Sequence, residues 1–208
     1  GGTNNDIFTF ANGVNFTGTI AGGTGIDTLD YQLFSSALIV DLGTIASDIE
    51  LIQANASTTN TLIGSNINNT WSLDGANQGN VNGLGFREFS ELIGGNSTDV
   101  FNLNGGNVQT INGGDGDDSI VLNSGSVNSI DGGLGTNSFT DNRNVDAVLT
   151  ISGDNQGSLN GILPFTNIQS VQLGSGNDII TFTSGTIASV RGGDGNDRFE
   201  LSGGTPIF

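Results

Sequence analysis

GGNSTDVFNLNGGNVQTIN (Gly94–Asn112) runs directly into GGDGDDSIVLNSGSVNSID (Gly113–Asp131), and that into GGLGTNSFTD from Gly132. Each step is 19 residues long, opens on paired glycines and reaches Asp or Asn at its sixth position. Near the other end LGSGNDIITFTSGTIASVR (Leu173–Arg191) runs into GGDGNDRFEL (Gly192–Leu201) with the same step, and GGTNND at Gly1 is followed by GGTGID at Gly22 after 21 residues. Self-similarity at a fixed short period is the mark of a repeat architecture, so it takes precedence over any reading of single elements.

Two places after the sixth position stand Phe8, Leu29, Leu62, Phe101, Ile120, Phe139, Ile180 and Phe199, all apolar. Two further on stand Phe10, Tyr31, Gly64, Leu103, Leu122, Asp141, Phe182 and Leu201, apolar with two exceptions. Just before the glycines come Ile20, Ile52, Leu92, Ile111, Ile130, Val171 and Val190. Alternation of this kind makes short strands with one face inward. Identical placement in successive units stacks those faces into ladders, as a coiling chain does and a sandwich does not. Asn, Gly, Ser and Thr fill the gaps and disfavour helix.

The expected fold is therefore all-β: one domain over 1–208, a parallel β-solenoid of the β-helix or β-roll kind. It has about eight coils starting near 1, 22, 54, 94, 113, 132, 173 and 192. At about 4.8 Å per rung this is a rod on the order of 40 Å long. A longer repeat is superposed, since Trp71–Asp118 matches Leu149–Asp197. Within it, stretches such as LTISGDNQGSLNGI alternate and turn like β-hairpins, which predicts hairpin excursions near 69–86 and 148–163. The last coil stops early at Phe208, which suggests a cut chain or ends that find partners.

Composition narrows the function. The 208 residues carry 4 basic and 21 acidic side chains, for a formal net charge of −17, with no His, Cys or Met. Such a charge repels nucleic acid and favours cations. No apolar run approaches the roughly 20 residues that span a membrane, so no membrane insertion is expected. Nucleophilic triads need a base, and neither His, Lys nor Cys is present. Paired carboxylates are the one hydrolytic route left, that of a polysaccharide-acting enzyme on a β-helix. The carboxylates fall in repeat register, which a structural role produces, so the chain is not expected to be an enzyme.

The pattern GGxGxDxUx, with U a large apolar residue, fits GGTGIDTLD from Gly22, GGDGDDSIV from Gly113 and GGDGNDRFE from Gly192. Here the sequence resembles RTX repeats, the hemolysin-type calcium-binding nonapeptides of secreted bacterial proteins. The spacers LDYQLFSSALIVDLGTIASDIELI and TWSLDGANQGNVNG look like repeats of large bacterial surface adhesins. The resemblance implies a right-handed solenoid with Ca2+ between the turns of adjacent coils, held by carbonyls and Asp carboxylates. The candidate metal ligands are Asp6 with Asp27, Asp99 with Asp118, and Asp178 with Asp197. RTX rolls carry the nonapeptide on both sides of the coil, whereas half-coils such as LNSGSVNSID lack it, so at most one edge is expected to carry metal.

A second reading of the same turns stays open. Asp and Asn cap turns by bonding nearby N–H groups, and stacked Asn side chains bond along a solenoid without any ion. Asn137 and Asn60 at the sixth position show that the turn forms without a carboxylate. Asp115, Asp117 and Asp194 read as solvated charges, Trp71 as core or a hairpin flank, and Arg191 and Arg198 as partners for the carboxylates of the GGDGND turn. Asn-x-Ser/Thr occurs at Asn15, Asn55, Asn68 and Asn96 and is given no meaning.

The expected function is an extracellular structural or adhesive module, calcium-stabilised, secreted or on a bacterial surface. It would be a segment of an adhesin or a filament subunit that self-associates through solenoid ends or neighbouring repeats. The alternative is a module binding cell-surface glycans or another ligand. The outward turn positions Thr3, Thr24, Asn96, Asp115, Leu134, Ser175 and Asp194 are too irregular for an ice-binding array.

Overall fold

The computed structural model describes residues 1–13, 19–45 and 47–203, so Asn15 and Phe208 lie outside the described residues. The fold is all-β. Among the described residues nineteen strands join one sheet and none is helical. Pairing is parallel between successive repeats and antiparallel at two places, so the sheet is mixed.

The uninterrupted repeats set the pattern. Val100–Gly114 and Ser119–Asp131 are long strands that bend at Asn104–Asn107 and pair on both sides of the bend. Val100, Ser119 and Ser138 align in successive strands, which is the 19-residue register. Each bent strand contributes to two columns. In the first, Trp71, Phe101, Ile120, Phe139, Val171 and Val190 are successive partners. In the second, Val40, Leu62, Leu92, Ile111, Ile130 and Phe165 stack. Nearly all of these side chains are fully buried, so the core is a pair of apolar ladders between the columns.

The columns differ from the expected ones. Phe139 continues into Val171, which precedes a glycine turn, while Ile180 and Phe199 stack on Leu149 in the second column. Leu29 likewise continues into Ile52 and then Phe86, and Leu62 belongs with Val40 and Leu92. The cause lies in the segments expected as hairpin excursions. Each is a three-stranded antiparallel meander: Thr70–Gly75, Gln78–Val81 and Leu84–Arg87, then Val148–Gly153, Gln156–Leu159 and Leu163–Thr166. Neither leaves the body. Their outer strands pair with strands of the repeats before and after, so each meander fills three places in a column.

Local chemistry explains the meanders. Asn82-Gly83 and Asn160-Gly161 have positive φ at both residues, the conformation of the tight turns that suit right-twisted hairpins. In the middle strands Gly79 and Gly157 lie opposite Phe86 and Phe165, whose rings cover the positions a Cβ would fill.

The first meander sits in the first column and the second in the other, so the two copies of the longer repeat pair in different columns. Neither column outgrows its neighbour. The shift also moves the turns. Those ending at Asp99, Asp118 and Asn137 lead from the second column to the first, whereas those ending at Asp178 and Asp197 lead from the first to the second. Turns of this kind therefore occupy both edges.

Candidate functional site

The sixth-position side chains form hydrogen-bonded stacks along the edges. The Asn69 N–H donates to Asp99 Oδ1 at 2.7 Å, Asp99 N–H to Asp118 Oδ1 at 2.8 Å, and Asp118 N–H to Asn137 Oδ1 at 2.9 Å. The stack closes on Gln169, whose Oε1 accepts from the Asn137 N–H at 2.6 Å. On the same edge the Asp6 N–H donates to Asp27 Oδ1 at 2.7 Å and the Asp27 N–H to Glu50 Oε2 at 2.7 Å. On the opposite edge the Ala147 N–H donates to Asp178 Oδ1 at 2.8 Å, and Asp178 N–H to Asp197 Oδ1 at 3.0 Å. All three expected Asp pairs are thus brought together, each joined from backbone to side chain.

Asn69, Glu50 and Gln169 were not singled out from the sequence. Asn69 had a legible signal, a sixth-position Asn after Gly64 and before the apolar TWSL. Glu50 and Gln169 had none, because no glycine precedes them at the turn spacing and their longer side chains reach the rung from another backbone position.

One oxygen of each inner carboxylate has no partner. Asp27, Asp99, Asp118 and Asp178 are buried, and Oδ2 of each lacks a hydrogen bond. Burial raises the Asp99 carboxyl above its ordinary range, against the lowering effect of its bonds from Asn69. Asp118 is pushed up to about 6, first by burial, with Asp99, Asp117 and Asp115 adding repulsion against the bond from the Asp99 N–H. Burial also raises Asp178, opposed by the Ala147 N–H and reinforced by Asp197, Asp146 and Asp141.

Calcium takes about six to eight oxygen ligands. Among the described residues no three acidic side chains converge on one point. Oδ1 of each inner Asp is occupied by an N–H, and Oδ2 of Asp27, Asp99 and Asp118 is wedged against the turn's first glycine, whereas the turn of Asp178 opens on Leu173. A Cβ on Gly113 would lie 2.3 Å from Asp118 Oδ2 and 2.5 Å from the Gly132 carbonyl oxygen. At Asn turns an amide nitrogen fills the same place: Asn69 Nδ2 donates to the Gly94 carbonyl at 3.1 Å and Asn137 Nδ2 to the Asn167 carbonyl at 3.0 Å. At the Asp turns Oδ2 takes that place, so the turns offer carboxylate and backbone carbonyl oxygens, the donor type that calcium takes, with Oδ1 already engaged by an N–H.

Two charged contacts lie elsewhere. Arg198 pairs with Glu200 at 2.7 Å, not with the carboxylates of its preceding turn. Asp141, the acidic exception in its apolar column, is buried and held by Arg143 through Nε and Nη2, both at 2.8 Å. Removing one partner of a buried pair leaves an uncompensated charge. Because the guanidinium is partly exposed, Arg143→Ala is expected to cost about 2 kcal/mol in urea unfolding. Adding Asp141→Leu should recover most of that loss, since Leu122 is its neighbour on the preceding strand.

A groove runs beside the 76–77 turn and is lined by Ser57, Thr58, Asn77, Asn107, Gln109 and Asn128 among others. It holds hydroxyls and amides but no aromatic ring on which a sugar could stack. Compared with known proteins, the chain matches no family model, no curated protein and no solved structure.

Proposed function

We propose that this chain is a structural or adhesive repeat module of an extracellular surface, built as a parallel β-solenoid, right-handed as the RTX resemblance implies. The observation that carries the reading is the register of the stacks: Asn69, Asp99, Asp118 and Asn137 spend their side chains joining one coil to the next. Catalytic or ligand-binding side chains would converge on a cavity. These lie in columns, and their chemistry is used up in holding the rod together.

The same pattern supports self-association through the ends. Each coil's sixth-position N–H seeks an oxygen of the following coil, so the first described coil presents Asp6 Oδ1 and the last the Asp197 N–H. Phe199 and Leu201 are about half exposed on the last strand, and Phe8 and Phe10 are part-buried on the first. A net charge of −17 repels side-by-side contact and leaves end-to-end contact favoured. Neighbouring repeats or further copies of the chain are the partners this reading assigns to such contacts.

The test combines thermal melts by circular dichroism with sedimentation, in chelator and then in millimolar calcium. The expected result is one β spectrum and one midpoint in both buffers, with elongated species growing as concentration rises. Calcium is the competing occupant implied by the resemblance. A ligand at a hundred times its dissociation constant adds about 2.7 kcal/mol, so a rise of roughly 5–10 °C in calcium would support it. A compact monomer at every concentration would remove the end-to-end assembly.

A further inference from the structure

The second glycine of each stacked turn faces the coil before it. A Cβ on Gly23, Gly114, Gly133 or Gly193 would meet the carbonyl oxygen of Gly2, Gly95, Gly114 or Gly174, the matching residue one coil earlier. Gly2 holds that place in the turn at Gly1, yet around the position of its Cβ no atom lies within 4 Å, and its φ is outside the left-handed region. Neither space nor backbone conformation within the chain calls for a glycine there. A turn stacked in front of it would, because that turn's carbonyl would fall on the same point.

The two ends of the rod differ in column. The turn Gly1–Asp6 leads into Ile7–Ala11, which lies in the first column through Leu29, Ile52 and Phe86. The turn Gly192–Asp197 leads into Arg198–Leu201, which lies in the second. Each sixth-position N–H is directed at the following coil, and for Asp197 the chain supplies no following coil. The matching acceptor at the other end is Asp6 Oδ1. With the columns of two copies kept in line, Ile7–Ala11 of one would follow Ser189–Arg191 of the other, and the two glycine–aspartate turns would lie on opposite edges. The turns meet only if the columns are exchanged. The chain makes that exchange once already, since the two copies of its longer repeat pair in different columns.

We propose that a second copy of this chain stacks on the first after a half-turn about the rod axis, so that Gly1–Asp6 of one copy sits on Gly192–Asp197 of the other. The Asp197 N–H then donates to Asp6 Oδ1, and the Gly193 carbonyl falls over Gly2. Arg198, Phe199, Glu200 and Leu201 align with Ile7, Phe8, Thr9 and Phe10, in the register by which Ile179–Phe182 align with Arg198–Leu201. Phe199 and Leu201, 49% and 55% exposed, are covered by Phe8 and Phe10. On the outer face Glu200 meets Thr9, repeating the pairs Thr61 with Glu91 and Thr181 with Glu200, whose hydroxyls donate to the carboxylates. The contact continues the coil-to-coil contact of the chain's interior, with strands about 4.8 Å apart. This inference rests on the end-to-end reading and adds which residues meet.

The chain has no cysteine, so engineered pairs report the arrangement. Partners on adjacent strands lie within disulfide reach. T9C/E200C places a pair that only the half-turn brings together, and T9C/R191C one that only in-line stacking brings together. Under mild oxidation, in chelator and in calcium, T9C/E200C is expected to give a ladder of linked species that a reducing agent collapses to one band. T9C/R191C is expected to stay monomeric. Gly2→Val should leave the melting midpoint of dilute protein unchanged, because its side chain enters open space within the chain. In sedimentation it should raise the concentration needed for elongated species by about tenfold or more. A ladder from T9C/R191C and not from T9C/E200C would overturn the half-turn and leave end-to-end assembly standing. Equal ladders from both would mean random collision and also overturn it, as would unimpaired assembly of Gly2→Val. A ladder from neither would remove the end-to-end reading together with this inference.

Discussion

Trp71→Ala is expected to lower the melting midpoint by on the order of 10 °C, a loss of about 3–5 kcal/mol. Trp71 is fully buried where the first meander joins the long strands. Its ring stacks on Phe101 at 5.2 Å with planes 13° apart and meets the edge of Phe86 at 5.9 Å. Truncation would leave a cavity bounded by rings fixed in their own rungs, which cannot collapse into it without breaking strand register. The indole N–H is buried without a partner. Trp71→Phe therefore removes an unsatisfied donor while keeping the stack, and should cost no more than about 1.5 kcal/mol. Chemical denaturation of both variants checks the pair. Equal losses would place the indole N–H in a bond that matters.

Gly133→Ala should be nearly as damaging, at roughly 2–5 kcal/mol, and Gly161→Ala much milder. Both glycines have positive φ, +79° and +67°, which costs an L residue about 1–2 kcal/mol. At Gly161 the added methyl points into open space. At Gly133 it would lie 2.0 Å from the Gly114 carbonyl oxygen, a backbone atom of the neighbouring coil. Relief requires the coils to move apart, and overpacking of this kind adds about 1–3 kcal/mol. Melts of the two variants side by side separate conformational strain from coil-to-coil contact. A Gly161→Ala protein as unstable as Gly133→Ala would show that strain alone sets the cost.

Several features were legible in the sequence because they are local and repeat. The 19-residue spacing fixed which residues of Val100–Asp131 meet, and the alternation of Phe101, Leu103, Ile120 and Leu122 fixed which of them face inward. Each turn ends on an Asp or Asn at one spacing, so the pairing of Asp99 with Asp118 and of Asp178 with Asp197 could be read directly. Asn at Asn137 already indicated that the turn does not depend on a charge.

The tertiary structure decided the rest, for a reason that spacing cannot carry. A meander of three strands reads in sequence as an excursion, but its outer strands pair within a column, so the chain emerges in the other column from where counting places it. That shift exchanges the columns of Phe139 and Ile180 and puts Asp178 on the edge opposite Asp118. Glu50 and Gln169 join the stacks through reach, not spacing. The state of the inner carboxyls is also set between coils. Whether Asp118 Oδ2 meets water, an ion or a carbonyl depends on where the next coil's Gly132 lies, and only the stacked chain fixes that.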